Sequence, residues 1–222
     1  MNRLILIITL ITSSVLNLHS QDTTFKTGYA LKGADTIFCK VKFCKECAEL
    51  HKHSVTLLVE NEVVSFHAGG TITGYGVYDK GNEYHYGAVD IEILLGNQSR
   101  YQTLFLKKIV AGTISFYEHY YSITTTKRTT IDGVQQQKTE TTRKDYTTYY
   151  IAKTDSSSPA LSKPVLLESF RKKELERFTS DNSELTERME KRFSVKELIT
   201  ILTEYNNWSR QKKNLVVYKQ TD

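Results

Sequence analysis

Residues 25–121 form a series of strand-like segments, with apolar and polar positions alternating most clearly in 36–43, and turn residues cut the pattern about every ten residues. That period puts alternate residues on opposite faces of a strand, so the segment predicts an antiparallel sheet with one buried face. The strand-like segments are 25–31, 36–43, 54–60, 62–67, 71–78, 83–95, 103–110 and 113–121. Between them stand Gly33, Asn61, Gly69, Gly70, Gly81 and Gly112. In 36–43, Ile37, Cys39, Val41 and Phe43 share one face, and Thr36, Lys40 and Lys42 the other. Phe38 breaks the alternation, an aromatic ring at a polar position.

Residues 122–148 behave differently. Two stretches flank Asp132 and Gly133, a dipeptide suited to a two-residue hairpin turn, and nearly every side chain is Thr, Gln, Lys, Arg or Glu. A strand pair with no apolar face has little to bury and a weakly fixed register, which predicts a polar arm beyond the core or a disordered loop. Tyr146, Tyr149, Tyr150 and Ile151 return the chain to packed sheet.

After residue 154 the period changes. Residues 155–163 have the composition of a linker, and 164–213 read as a cap of three helices. Pro164 suits the first turn of the first helix, with Leu167, Phe170, Leu175 and Phe178 along one side. Asp181 with Glu184, and Ser194 with Glu197, have capping-box spacing for the second and third. Leu198, Ile201, Leu202, Tyr205 and Trp208 form the clearest helical stripe in the chain. Residues 214–222 read as a tail, with 215–218 able to add a strand. The fold class is therefore α+β: a mainly antiparallel sheet over 21–154, sandwich-like or barrel-like, followed by short C-terminal helices.

The first twenty residues carry a compartment signal. Arg3 precedes an apolar run over 4–18, and the segment closes on small Ser20 before a polar sequence. This is the pattern of a secretory signal peptide, too short and interrupted for a membrane span. No other segment is long and apolar enough to cross a bilayer, so the mature chain is expected to be secreted or periplasmic. The net charge of +5 comes from interleaved acidic and basic residues, as on solvated helix faces. With export, this argues against nucleic acid as a partner.

The sharpest chemical cluster is Cys39, Cys44, Cys47, His51 and His53. Cys44, Cys47, His51 and His53 offer soft and imidazole ligands at close spacing for a tetrahedral metal. Paired-knuckle spacing is missing, however, and an oxidising compartment joins nearby thiols, so one disulfide among Cys39, Cys44 and Cys47 is the favoured reading and no cofactor is expected. His67, His85 and His119 stand in strand segments as structural histidines. Tyr75, Tyr78, Tyr84 and Tyr86 could line a sugar or peptide groove, but sheet packing explains them more readily. Nucleophile elbow, zinc-protease helix and phosphate loop are all missing from the sequence. Asn97 and Asn207 open glycosylation sequons.

Several segments, taken in order, resemble a group of uncharacterised secreted proteins of Bacteroidetes-type bacteria. They are Gly28 and Tyr29 with 33–37 (GADTI), 72–76 (ITGYG), 105–117 (FLKKIVAGTISFY) and 149–151 (YYI). At the end come 180–185 (SDNSEL) and 204–208 (EYNNW). The resemblance implies a β-rich exported domain followed by short helices, and carries no catalytic residues. The reading that follows is a non-enzymatic envelope or extracellular protein that binds a partner, a protein or cell-envelope component. The alternatives are an exported hydrolase with a carboxylate or histidine site, or metal capture through the Cys/His cluster.

Overall fold

The computed structural model describes residues 24–44, 51–95, 98–130, 137–154 and 162–219. Ten strands form: β1 (Thr24–Lys32), β2 (Asp35–Phe43), β3 (Ser54–Val59), β4 (Glu62–His67), β5 (Gly74–Asp79), β6 (Asn82–Leu95), β7 (Gln98–Val110), β8 (Ile114–Thr130), β9 (Gln137–Lys153) and β10 (Val165–Leu166). They make one antiparallel sheet in the order β10-β9-β8-β7-β6-β5-β1-β2-β3-β4. The turns follow from local chemistry. Glu60 and Asn61 both have positive φ, as do Lys80 and Gly81, so each pair makes a tight hairpin that matches the strand twist.

The sheet is mainly antiparallel, as the period-2 pattern predicts, but it is neither a sandwich nor a closed barrel: its order runs from β10 at one edge to β4 at the other. It curls instead. The Phe105 amide of β7 donates to the Lys52 carbonyl, just before β3, at 2.7 Å. This brings the two ends of a six-strand stretch together over a shared core of Ala30, Val41, Phe43, Val55, Leu57, Ile72, Tyr75, Val77 and Phe105. The curl buries the inner face without a second sheet.

Beyond β7 the same face is covered by helices α1 (Lys172–Thr179), α2 (Ser183–Arg188) and α3 (Val195–Lys219). Phe116 and Ile151 of the sheet pack there with Leu175, Phe178, Leu198, Leu202 and Tyr205. Asn206 of α3 joins the layers: its Oδ1 accepts from the Ile114 amide at 2.7 Å and its Nδ2 donates to the Ile114 carbonyl at 2.8 Å. Gly112 makes the approach possible, since a Cβ there would lie 2.5 Å from Asn206 Cγ. Asp181 closes the joint, accepting from Lys153 Nζ at 2.9 Å and from the Tyr205 hydroxyl at 2.8 Å.

Three sequence expectations change here. Pro164 does not open a helix; Val165 and Leu166 pair with Ile151 and Tyr150 of β9, and the next helix after Pro164 starts at Lys172. The apolar run 165–167 satisfies a strand edge as well as a helix face, and pairing with β9 decided it. Asn182, not Asp181, caps α2, accepting from the Leu185 amide at 3.1 Å, because Asp181 is taken by Lys153 and Tyr205. Residues 215–218 continue α3 rather than adding a strand. The Ser194–Glu197 capping box forms reciprocally. The β8–β9 ladder runs unbroken to Thr130↔Gln137, so the arm is a paired ribbon. Residues 124–126 and 141–147 are exposed throughout. The leader, Cys47, the Asp132–Gly133 turn, Asn97 and most of the 155–163 linker lie outside the described residues.

Candidate functional site

The two faces of β1, β5 and β6 divide the aromatic residues by position. Tyr75, Tyr84 and Tyr86 point into the curl. Tyr75 stacks on Tyr86 at 4.7 Å and Phe43 packs on Tyr84 at 5.4 Å, so these three tyrosines are core. The alternate positions carry a second aromatic set outward.

On that outer face Phe38 pairs with Tyr29 across β2 and β1, Tyr29 with Gly76 across β1 and β5, and Gly76 with His85 across β5 and β6. The four positions therefore lie in one row perpendicular to the strands. Neighbouring strands are about 4.8 Å apart, so Tyr29 and His85 would ordinarily be separated by the side chain between them. Gly76 removes that obstacle. A Cβ on it would sit 2.3 Å from Tyr29 Cε1, so the Tyr29 ring lies across the glycine. The ring reaches His85, its Oη 2.6 Å from His85 Nδ1. Tyr78 joins from the same face, its ring centroid 6.4 Å from that of Tyr29.

Glu83 completes the network. Its carboxylate lies 3.6 Å from His85 Nε2 and accepts the Tyr78 hydroxyl, which holds the Tyr78 phenol above its usual pKa. With Nε2 toward the carboxylate, His85 accepts through Nδ1 from Tyr29. Burial, then the Glu83 charge, raises the Tyr29 phenol as well. Neither tyrosine is poised as a nucleophile, because both are held in the protonated form. The arrangement orders hydroxyl, imidazole and carboxylate groups among exposed rings.

Around this network the surface is open and positively rimmed. Phe38 is 81% exposed, Tyr78 45% and Phe25 36%. Lys40 and Lys42 alternate with buried Val41 along β2 and stand exposed beside Phe38. Lys108 extends the row from His85 into β7, its Nζ 5.5 Å from the Tyr117 ring, and burial lowers its ammonium pKa.

The cysteine–histidine cluster resolves into structural contacts. Cys44 is disulfide-bonded and Cys39 is a free thiol, raised in pKa by burial. His51 is buried, stacks on Phe43 at 5.6 Å, and accepts the Cys44 amide through Nε2 at 3.0 Å. His53 Nδ1 lies 3.2 Å from Gln102 Nε2. Among the described residues no three His, Cys, Asp or Glu side chains gather as a metal centre requires. His67 is exposed on β4, and His119 is buried against Tyr121 and Tyr150.

A concavity lies on the helical cap, a shallow groove of about 260 Å³ floored by Leu185, Met189, Phe193 and Ile201. Its polar rim is structurally engaged: Arg188 pairs with Glu204, and Glu197 closes the Ser194 capping box.

Sequence reasoning singled out Tyr78 and His85 but not their association, and passed over Tyr29 and Glu83. The available signal was Phe38, the one aromatic out of register in 36–43. No protein-family model, curated protein or solved structure matches this chain.

Proposed function

We propose that the chain is an exported, non-enzymatic binding module of the cell envelope or extracellular space, with the outer face around Phe38, Tyr29, Tyr78 and His85 as its contact surface. The observation that carries this reading is the exposure of the rings. Phe38 is 81% exposed and stands opposite Tyr29 across β2 and β1, Tyr29 in turn contacts the exposed Tyr78, and exposed aromatic clusters are where proteins make contacts. Export is supported by the leader pattern of residues 1–20, by the motif resemblance to secreted proteins, and by the disulfide at Cys44, a bond typical of oxidising compartments.

The Tyr29–His85–Glu83 relay raises the competing reading of a hydrolase. A nucleophile must be activated by its base, and here burial and the neighbouring carboxylate favour the protonated phenol. The network suits hydrogen bonding to a ligand better than attack on one.

The test is fractionation of the native host or of a Gram-negative expression host. The expected result is a processed chain in the periplasm or medium that is retained on isolated envelopes or extracellular matrix. A Phe38→Ala/Tyr78→Ala double variant, equally folded and exported, is expected to be washed off. An unprocessed cytosolic chain, or identical retention of the double variant, would refute the reading.

A further inference from the structure

We propose that the outer-face patch binds a glycan chain bearing carboxylate groups, with pyranose rings stacked on Phe38, Tyr29 and Tyr78 and carboxylates met by Lys40 and Lys42. This inference rests on the reading of that face as a contact surface and adds the ligand class.

Three observations select the class. The first is the shape of the surface. The Phe38–Tyr29–Gly76–His85 row crosses four adjacent strands, so the rings extend along a line rather than around a pocket. A line of exposed rings on a rigid sheet suits a linear polymer of flat units. The C–H faces of a pyranose are apolar and pack on aromatic faces, while its hydroxyls remain at the edge.

The second is the polar network. Tyr29 Oη, the His85 imidazole and the Glu83 carboxylate are already ordered by one another, at 2.6 Å and 3.6 Å. Donors and acceptors held this way among rings serve vicinal hydroxyls with little entropy left to lose. An apolar peptide segment would leave these groups facing hydrocarbon, at a cost in unpaired polar groups.

The third is charge. Lys40 and Lys42 follow Phe38 along the same exposed face of β2, and Lys108 continues the row beyond His85. Among the described residues, the carboxylate in the row's network is Glu83, which is engaged by Tyr78 and His85. Two exposed ammonium groups beside a stacking platform complement a sugar acid. They do so as point charges on flexible stems, which tolerate variable carboxylate spacing along a polymer.

The experiment titrates the mature, disulfide-intact chain by calorimetry with three probes: an oligouronide hexamer, the neutral hexamer cellohexaose, and poly-glutamate as a ringless polyanion. The oligouronide is expected to bind, to weaken as salt is raised, and to exceed both other probes. Phe38→Ala and Tyr78→Ala should each weaken it by about tenfold or more. Lys40→Gln/Lys42→Gln should weaken it and flatten its salt dependence. Circular dichroism confirms the fold of each variant, and all four positions are exposed. Poly-glutamate binding equally well, cellohexaose binding equally well, or ring variants leaving the oligouronide affinity unchanged would each overturn the proposal. So would no binding of any probe. If the chain is nonetheless exported and retained on envelopes through Phe38 and Tyr78, only the ligand class falls. If the Phe38→Ala/Tyr78→Ala double variant is also retained as well as the native chain, the contact surface falls with it.

Discussion

The inner and outer faces of β1, β5 and β6 use the same residue types for opposite ends. Inside, Tyr75 is 1% exposed and stacked on Tyr86. Outside, Tyr78 stands three residues further along the same strand, half-exposed, with its ring 6.4 Å from that of Tyr29. The inner rings are held by burial, and the outer ones by a missing side chain at Gly76 and the Tyr29–His85 hydrogen bond. Aromatic content therefore says little about role in a sheet. The parity of the position, and what stands on the adjacent strand, decides between core and contact surface.

The largest test of that contrast is truncation on each face. Tyr75→Ala should lower the unfolding free energy by about 3–5 kcal/mol, whereas Phe38→Ala should change it by no more than about 0.5 kcal/mol. Urea unfolding followed by circular dichroism measures both, and comparable losses would erase the distinction between the faces.

The inner face beyond β7 depends on α3, and Asn206 is the joint to break. Its replacement by Ala leaves the Ile114 amide without its acceptor, at an expected cost of about 1–3 kcal/mol. An unchanged urea midpoint would mean that apolar packing alone holds the cap.

Inside the curl, the Tyr75 hydroxyl is buried with no hydrogen-bond partner among the described residues. Tyr75→Phe should therefore stabilise the protein by on the order of 1 kcal/mol, the desolvation penalty of one unpaired polar group. A loss of stability would show that the hydroxyl is satisfied.

A smaller effect comes from His51. Burial, with the nearby Lys42 charge, holds its imidazole below the usual pKa, and its Nε2 accepts from Cys44, which requires the neutral ring. Between the lowered folded pKa and the unfolded value near about 6.5, the unfolded chain binds the extra proton. Stability is thus fully present above that unfolded value and falls as pH drops through the window. His51→Gln keeps a hydrogen-bond acceptor without the titration, so its urea midpoint should fall less between neutral and mildly acidic pH. Parallel profiles would exclude His51 as the source.

The smallest effect is expected from the arm. Replacing residues 123–145 by a two-residue Asn-Gly turn removes a ribbon exposed at 123–126 and 141–145 and should move the thermal midpoint little. The cluster of Ser122, Arg143 and Asp145 is exposed, and such ion pairs contribute little to stability. A large drop would mean that the ribbon supports the core.

The strands, their turns and the Ser194 capping box were legible because each is fixed by residues close in sequence. Alternation sets which face is buried, Asn61 and Gly81 permit positive φ, and a Ser–Glu spacing of three closes on itself. The fate of residues 164–171 was not legible, since an apolar pair after Pro164 fits a helix start or a strand edge equally well. Only the open edge of β9, some fifteen residues away, chose between them. How the open sheet curls was equally hidden, because it brings β7 against the segment before β3, where the Phe105 amide meets the Lys52 carbonyl.

By itself, then, the sequence determined a β-rich chain with a leader-like start, a polar arm and a helical end, through local periodicity and turn chemistry. The tertiary structure alone decided that Phe38, Tyr29 and His85 share one row, because strand register joins residues from three separate segments. It also decided that Tyr29 touches His85, since only the absent side chain of Gly76 lets two positions on non-adjacent strands meet.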